Sequence, residues 1–249
     1  MRAVPSKSLS GEPDRTVEFR NQAVEGAGAM IALVIDDLGR SLADLDRLSK
    51  LQIPLSYAVL PFESQTSAVV EELTRRQAEI LCHLPMEPGT GADPGRGALT
   101  LDMSRAEMRR AVQMALWAVP GARGVNNHMG SRMTEDPKAT EVILEVLSRE
   151  GLFYLDSRTS AKSQGYRIAR RLGVPVAQRQ VFLDDDLNPG SIRRQFAHLK
   201  ELARKNGRAI AIGHPHRETL AVLESEVRAA LRSGYQFVPV SRLLDGAAG

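Results

Sequence analysis

The sequence alternates short apolar runs rich in β-branched residues with longer amphipathic stretches. The apolar runs predict strands over 30–36, 55–60, 79–83, 123–127, 152–156, 174–183 and 208–213. The amphipathic stretches predict helices over 41–51, 65–77, 104–118, 137–150, 161–172, 190–206 and 217–233. Strands that alternate with helices pair in parallel through right-handed crossovers. About seven such units favour an α/β fold with a distorted (β/α) barrel over an open doubly wound sheet.

Two regions of different composition divide the 249 residues. Residues 1–29 are polar and contain Gly and Pro, which predicts a flexible N-terminal arm or linker. Residues 30–249 are expected to form one barrel domain. The arm lacks the apolar core of a signal peptide, and no run approaches the roughly 18 apolar residues of a membrane span. We therefore expect no export signal and no transmembrane segment in this chain.

The distribution of charge argues against a nucleic-acid partner, and the cysteine count excludes an intramolecular disulfide. The 33 Lys and Arg residues nearly balance the 30 Asp and Glu residues, and the formal net charge is +3. The basic residues are scattered among acids rather than grouped with aromatic residues, which argues against a nucleic-acid partner. The single cysteine, Cys82, excludes an intramolecular disulfide.

The first predicted strand ends in two adjacent carboxylates, Asp36 and Asp37, after the run MIALVI. A continuous apolar run is typical of a strand buried on both faces, and like charges at its tip destabilise it unless a cation lies nearby. Successive strand side chains point to opposite faces, so one carboxylate is expected to face the cation and the other to point elsewhere, unless the strand has already ended. A simpler interpretation is that the pair only caps the next helix or binds an arginine.

Other predicted strands also end in polar residues. These are His83, Asn126-Asn127-His128, Asp156-Ser157, Asp184-Asp185-Asp186, and His214 with His216. The carboxyl ends of all strands of a parallel barrel converge on one face, where the irregular segment 85–100 is also expected to lie. Imidazoles and carboxylates that converge are ligands of zinc or a similar divalent metal. Singly, His83 could be a packed histidine, Asp184–Asp186 a solvated turn and His216 the start of the last helix.

Several segments together carry a family resemblance. They are VIDDLG, EILCHLPMEP, GVNNHMGSRMT, FYLDSRTS, VFLDDD, AIAIGHPH and GYQFVPVSRLL. The combination resembles the divergent polysaccharide deacetylase family, a branch of the NodB-homology carbohydrate esterases, from about Met30 to Leu244. The resemblance implies a NodB-like distorted barrel. It also implies a metal-dependent hydrolase that removes acetyl groups from the N-acetylated amino sugars of a glycan.

The resemblance also implies roles for individual residues. The paired aspartates of the superfamily fall on Asp36, as the base, and Asp37, as a metal ligand. The histidine that follows the third strand is His83, and Glu87 stands where the superfamily has a second histidine. His214 matches the final histidine of the superfamily, which protonates the leaving amine.

One further motif departs from the superfamily pattern. Asn127-His128-Met129-Gly130 replaces the usual Arg-Pro motif, so His128 is expected to supply the missing imidazole. The predicted zinc ligands are therefore Asp37, His83 and His128, with Glu87 nearby. A further group is expected to bind the metal, orient its ligands or contact sugar hydroxyls: Asn127, Asp156, Ser157, Asp184 and His216.

The function expected from these observations is glycan N-deacetylation, with Asp36 as base and His214 as acid. One alternative is a non-catalytic envelope protein that keeps the fold and binds glycan or metal. Another is a metal-dependent hydrolase of a different substrate, such as a phosphoester. The family resemblance implies the periplasm or cell envelope as the location.

Overall fold

The computed structural model describes residues 28–245, so most of the predicted arm lies outside the described residues. The strands are β1 (Met30–Leu38), β2 (Ser56–Val59), β3 (Glu79–Met86), β4 (Gly124–Met129), β5 (Phe153–Asp156), β6 (Val176–Gln178), β7 (Val181–Phe182), β8 (Arg208–Gly213) and β9 (Gln236–Phe237). The helices are α1 (Ala43–Ser49), α2 (Thr66–Arg75), α3 (Arg105–Ala118), α4 (Ser131–Glu135), α5 (Pro137–Glu150), α6 (Gly165–Leu172), α7 (Pro189–Asn206) and α8 (Arg217–Arg232). A 3-10 helix spans Val240–Leu243.

The strands form one curled parallel sheet in the order β6-β5-β4-β3-β2-β1-β8-β7, with β9 paired to the start of β1. Every ladder between these strands is parallel. The predicted α/β fold with a distorted barrel is therefore confirmed. Parallel pairing brings the carboxyl ends of the strands to one face, which we call the rim.

The predicted strand 174–183 is wrong as a single element. The structure divides it into β6 and β7, which occupy opposite edges of the sheet and are joined only by Arg179 and Gln180. The Arg179 N–H donates to the carbonyl of Asp156 on one edge, and the Gln180 N–H donates to that of Ile210 on the other. The barrel is thus closed by the chain itself, since β6 and β7 form no ladder in the described residues.

Strand β1 is buried on both faces, as its apolar run predicts. Ile31 and Leu33 pack into the larger core cluster, which contains residues from the surrounding helices. Ala32 and Val34 pack on the opposite face, in a smaller cluster with Val240 of the 3-10 helix. Asp36 and Asp37 follow this apolar run and therefore lie at the rim, beyond the apolar part of the strand.

The residues that precede α3, α5 and α7 are of the types that favour a helix start. Ser104 forms a capping box with Glu107, and the side chains of Asp136 and Asn188 accept backbone hydrogen bonds in the turns that start α5 and α7. The short elements α4 and β9 and the 3-10 helix were not predicted, because so few residues show no periodicity. Among residues 28–245, no helix has both the length and the apolar character needed to cross a bilayer.

Candidate metal centre

The end of β1 departs from extended geometry at Asp37, whose φ is +58°. The register between β1 and β2 shifts over the same residues, from Ile35 to Leu38. This bulge breaks the alternation of side chains, so both carboxylates turn toward the same imidazole. Oδ2 of Asp36 lies 3.5 Å and Oδ1 of Asp37 lies 3.3 Å from Nε2 of His83. The expectation that one aspartate would point elsewhere is therefore wrong.

Three predicted ligand atoms converge beside this bulge. Oδ1 of Asp37 lies 2.9 Å from Nδ1 of His128 and 3.3 Å from Nε2 of His83, and the two nitrogens are 3.2 Å apart. The aspartate oxygen is buried, yet no hydrogen bond of acceptable geometry reaches it from the described residues. A buried carboxylate oxygen without a donor is costly, so this triangle needs a further positive group.

The triangle has the dimensions of a zinc site. Zinc binds imidazole nitrogen and carboxylate oxygen at about 2.0–2.2 Å with tetrahedral angles, which places ligand atoms about 3.3–3.6 Å from one another. The observed separations of 2.9–3.3 Å are close to that range. Asp37, His83 and His128 therefore fit a divalent metal, with a fourth position left for water or substrate.

Asn126 fixes the orientation of His83 and contacts Asp36. Its Nδ2 donates to Oδ1 of Asp36 at 2.9 Å, so its Oδ1 faces His83 and accepts from Nδ1 of that imidazole at 2.9 Å. With Nδ1 carrying the proton, the lone pair of His83 Nε2 points into the triangle, as a metal ligand requires. Asn126 is completely buried, and the pairing of His83 with Asn126 in the β3–β4 register holds both in place.

The electrostatics of the two aspartates differ. Burial raises the pKa of Asp36, although the charges of His83 and His214 oppose this shift. Burial acts in the same direction on Asp37, but close contact with His128 and His83 holds the pKa of that carboxyl well below its usual range. Asp37 is therefore ionised and suited to hold a cation, while Asp36 is suited to accept a proton.

His214 directly follows β8, faces the triangle and is held by Asp184. The imidazole Nδ1 donates to Oδ1 of Asp184 at 3.0 Å, and Nε2 lies 3.9 Å from Oδ2 of Asp37. The other oxygen of Asp184 accepts from the His214 N–H and from Thr219. Burial alone would lower the pKa of His214, but the hydrogen bond and charge of Asp184 outweigh it and raise the pKa to about 9.

A second group of metal-binding residue types contains Asp184, His214 and His216. Both oxygens of Asp184 are already occupied by hydrogen bonds, as described above. His216 is exposed at the start of α8, and its ring centroid lies 5.6 Å from that of His214. We interpret this group as the hydrogen-bonded support of His214 rather than a second metal site.

Glu87, predicted to lie near the metal, is directed elsewhere. One carboxylate oxygen forms a 2.5 Å ion pair with Arg132, and the other accepts from the Leu101 N–H at 2.6 Å. Its backbone also pairs with Leu99, so the residue anchors the 85–100 segment to the end of β3. The structure therefore gives Glu87 a role in holding a loop, and the imidazole of His128 takes the position in the triangle.

The remaining predicted residues support the rim. Asn127 accepts from the Ser157 N–H and the Tyr154 hydroxyl, which ties β4 to β5. Asp156 accepts from the N–H groups of Arg158 and Tyr166 and thereby shapes the loop after β5. The Ser157 hydroxyl accepts from Nδ2 of Asn126 at 3.3 Å. These side chains orient their neighbours and are not part of the ligand triangle.

Sequence reasoning missed Arg179. It was placed inside a predicted strand, whereas the structure puts it at the closure between β6 and β7, where Nε donates to the Ser157 carbonyl at 2.6 Å. The three polar residues Gln178, Arg179 and Gln180 interrupt an otherwise apolar run, and they are the sequence signal that the strand ends there.

Comparison with known proteins decides the family. Residues 33–244 match the family described as divergent polysaccharide deacetylase. The chain belongs to this family. The uncharacterized protein YibQ of Escherichia coli (strain K12) is 39% identical over 197 residues, which cover 79% of this chain. This chain spans only 62% of the length of YibQ.

Solved structures agree with this assignment. An uncharacterized protein from Agrobacterium tumefaciens C58 superposes with a TM-score of 0.82 at 25% identity and covers 90% of this chain and 92% of its own. A family 4 carbohydrate esterase from Streptomyces lividans, solved with acetate, gives a TM-score of 0.53 at 12% identity, with coverage of 87% and 95%. At that identity the esterase shares the fold, and the chemistry of this family member must be argued from its own residues.

Metal binding by the triangle is tested with two nearly isosteric changes. We expect Asp37→Asn to weaken zinc binding by about 10- to 100-fold or more, because a neutral amide replaces the ionised ligand. Glu87→Gln should leave zinc affinity within about twofold of the parent, because this carboxylate lies outside the triangle. Calorimetric titration of metal-free protein measures both values. Equal losses in the two variants would contradict the ligand set.

The raised pKa of His214 gives a pH prediction for the metal-free protein. The folded pKa of about 9 exceeds the ordinary value of 6.5, so protonation of His214 stabilises the fold. That contribution is complete below the unfolded pKa and is lost as pH rises through about 9. Asp184→Asn should lower the pKa of His214 and flatten this loss. NMR titration of the imidazole measures the pKa; an unchanged midpoint in Asp184→Asn would exclude Asp184 as the cause.

Proposed function

We propose that this protein is a metal-dependent deacetylase that removes N-acetyl groups from the amino sugars of a glycan. The observation that carries the proposal is the buried triangle of Asp37, His83 and His128. It is flanked by Asp36, which would accept a proton, and by His214, which would donate one. Zinc is the proposed metal, since two imidazoles and one carboxylate are ligands that it favours. When bound, the ion would act as a Lewis acid on the acetamide oxygen and the attacking water.

The residues of the chain would handle the protons. Asp36 takes a proton from the water whose oxygen forms a bond to the acetyl carbon. His214, protonated through its contact with Asp184, then donates a proton to the sugar nitrogen as the carbon–nitrogen bond breaks. The products are acetate and a free amino sugar, so atoms and charge balance.

Asn126 supports both tasks from one position. Its amide donates to Asp36 and accepts from His83, so the base and a metal ligand are oriented by one buried side chain. The superfamily Arg-Pro motif is replaced in this chain, and Asn126 stands beside that replacement in β4. We propose that Asn126 orients the proposed base, Asp36.

The family and the bacterial origin of the similar proteins support an envelope location, which we propose for this protein. A protein that only binds glycan or metal through the same rim is the alternative outcome. It would load zinc but release no acetate.

Acetate release from N-acetylglucosamine oligomers tests the proposal. We expect zinc-loaded protein to release acetate, and Asp36→Asn and His214→Ala each to lower kcat by about 10²–10⁴, the usual contribution of a general base or acid. His198→Ala, which removes an exposed imidazole from helix α7, is the matched control and should keep kcat within about twofold. Zinc content is measured for every variant.

Two results would contradict the proposal. Zinc below about a tenth of an equivalent after reconstitution would exclude the metal site, because such sites bind tightly. Full zinc loading with no acetate from any N-acetylated sugar would identify the protein as a binding protein. Activity that survives both Asp36→Asn and His214→Ala would show that the proton roles are assigned wrongly.

A further inference from the structure

The closure between β6 and β7 holds a guanidinium group at the rim. Arg179 donates from Nε to the Ser157 carbonyl at 2.6 Å and from Nη2 to the Arg158 carbonyl at 2.8 Å. Its Cζ also lies 4.9 Å from the ring centroid of Phe182. A guanidinium has five N–H donors, and those of Nη1 have no hydrogen-bond partner among residues 28–245. The group is therefore fixed in place with part of its donor edge unused.

Arg179 is connected to both proposed catalytic side chains through intervening residues. Ser157, whose carbonyl it binds, accepts through its hydroxyl from Asn126, and Asn126 donates to Asp36. On the other side, the Phe182 ring that stacks on Arg179 has its centroid 5.4 Å from that of His214. A substrate held between Asp36 and His214 would therefore extend past this guanidinium.

Arg158 brings a second guanidinium to the same place. Its backbone is left-handed, with φ of +48°, and is held by the Asp156 carboxylate at the N–H and by Arg179 at the carbonyl. Such a conformation is unfavourable for a residue with a side chain and persists because its surroundings hold it. The Arg158 side chain is exposed, and within residues 28–245 its one hydrogen bond runs from Nη1 to Oε1 of Gln178, at 3.2 Å. The loop thus presents this side chain to solvent at the rim.

The two arginines lack close counter-ions. In the described part of the chain, no carboxylate oxygen lies within 4.0 Å of either guanidinium. Asp36, Asp156 and Asp185 attract Arg179 at longer range, and Arg158 repels it. Asp36 and Asp156 already accept other hydrogen bonds, and Asp185 is exposed. Adjacent like charges with free donors are the arrangement that binds carboxylate or phosphate.

We propose that Arg158 and Arg179 bind an oxyanion substituent of the substrate, a carboxylate or phosphate, so that this protein selects acidic N-acetylated glycans over neutral ones. The inference rests on the proposed function, because the acetamido group would lie between Asp36 and His214. Since Arg179 is immobilised before binding, little side-chain entropy is lost when the anion arrives.

Calorimetry with three probes tests this site. They are the neutral N-acetylglucosamine tetramer, a tetrasaccharide of alternating glucuronate and N-acetylglucosamine, and N-acetylglucosamine 6-phosphate. We expect the protein to prefer at least one anionic probe over the neutral one by about tenfold at low salt, with a smaller preference at high salt. The carboxylate and phosphate probes show which oxyanion is bound.

Arg158→Gln is the decisive variant. Glutamine already occupies left-handed positions in this chain, at Gln52 and Gln77, so the fold should tolerate it. We expect this variant to lose the anionic preference while its affinity for the neutral tetramer stays within about twofold. Arg40→Gln removes the same charge from an exposed arginine that is paired with Glu63, and should keep the preference. Acetate release is measured on the same samples.

The outcomes separate the two proposals. Equal affinity for neutral and anionic probes, or equal losses in Arg158→Gln and Arg40→Gln, would overturn the anion site. Failure to bind any of the three probes would overturn it as well. An anionic preference that depends on Arg158 without acetate release would keep the anion site and reject the deacetylase. Acetate release without a preference for anionic probes would keep the deacetylase and reject the anion site.

Discussion

The candidate site depends on the left-handed backbone of Asp37 at the end of β1. A residue in this conformation costs free energy, although aspartate tolerates it better than most residues with side chains. The bulge that results turns two successive carboxylates to the same side, which an ordinary strand forbids. Without it, either Asp36 or Asp37 would face away from His83, and the base and the ligand could not share one site.

Similar backbone strain occurs at two other strand ends of the rim. Met129 and Arg158 have φ values of +51° and +48°, and the Asn127 and Arg179 side chains bond to their respective carbonyls. Within residues 28–245, the other left-handed residues with side chains are Gln52 and Gln77, which lie just past helices α1 and α2, where such conformations are ordinary. Backbone strain that side-chain hydrogen bonds stabilise thus occurs mainly at the rim, where the imidazoles and carboxylates lie close together.

Among the described residues around the triangle, every completely buried side-chain oxygen or nitrogen atom except one has a hydrogen-bond partner. Asn126, Asp184 and Ser157 all have partners, and His83 and His214 each use one nitrogen to bind their support. Among the completely buried side-chain oxygen and nitrogen atoms of the described site, Oδ1 of Asp37 is the one without a hydrogen bond. A divalent metal bound to this oxygen and to the two neighbouring imidazole nitrogens would supply the missing partner.

The sequence by itself determined the alternating strands and helices, the helix caps and the set of polar residues at the strand ends. These features depend on the burial and backbone preferences of residues close in the chain. Only the tertiary structure decided that Asp36 and Asp37 share a side, that Glu87 anchors a loop, and that 174–183 divides into two strands. Each of these depends on partners far apart in sequence: the β2 register, Arg132, and the β5 and β8 edges. Periodicity carries no information about such contacts, because they are fixed only when the sheet curls and its strand ends meet.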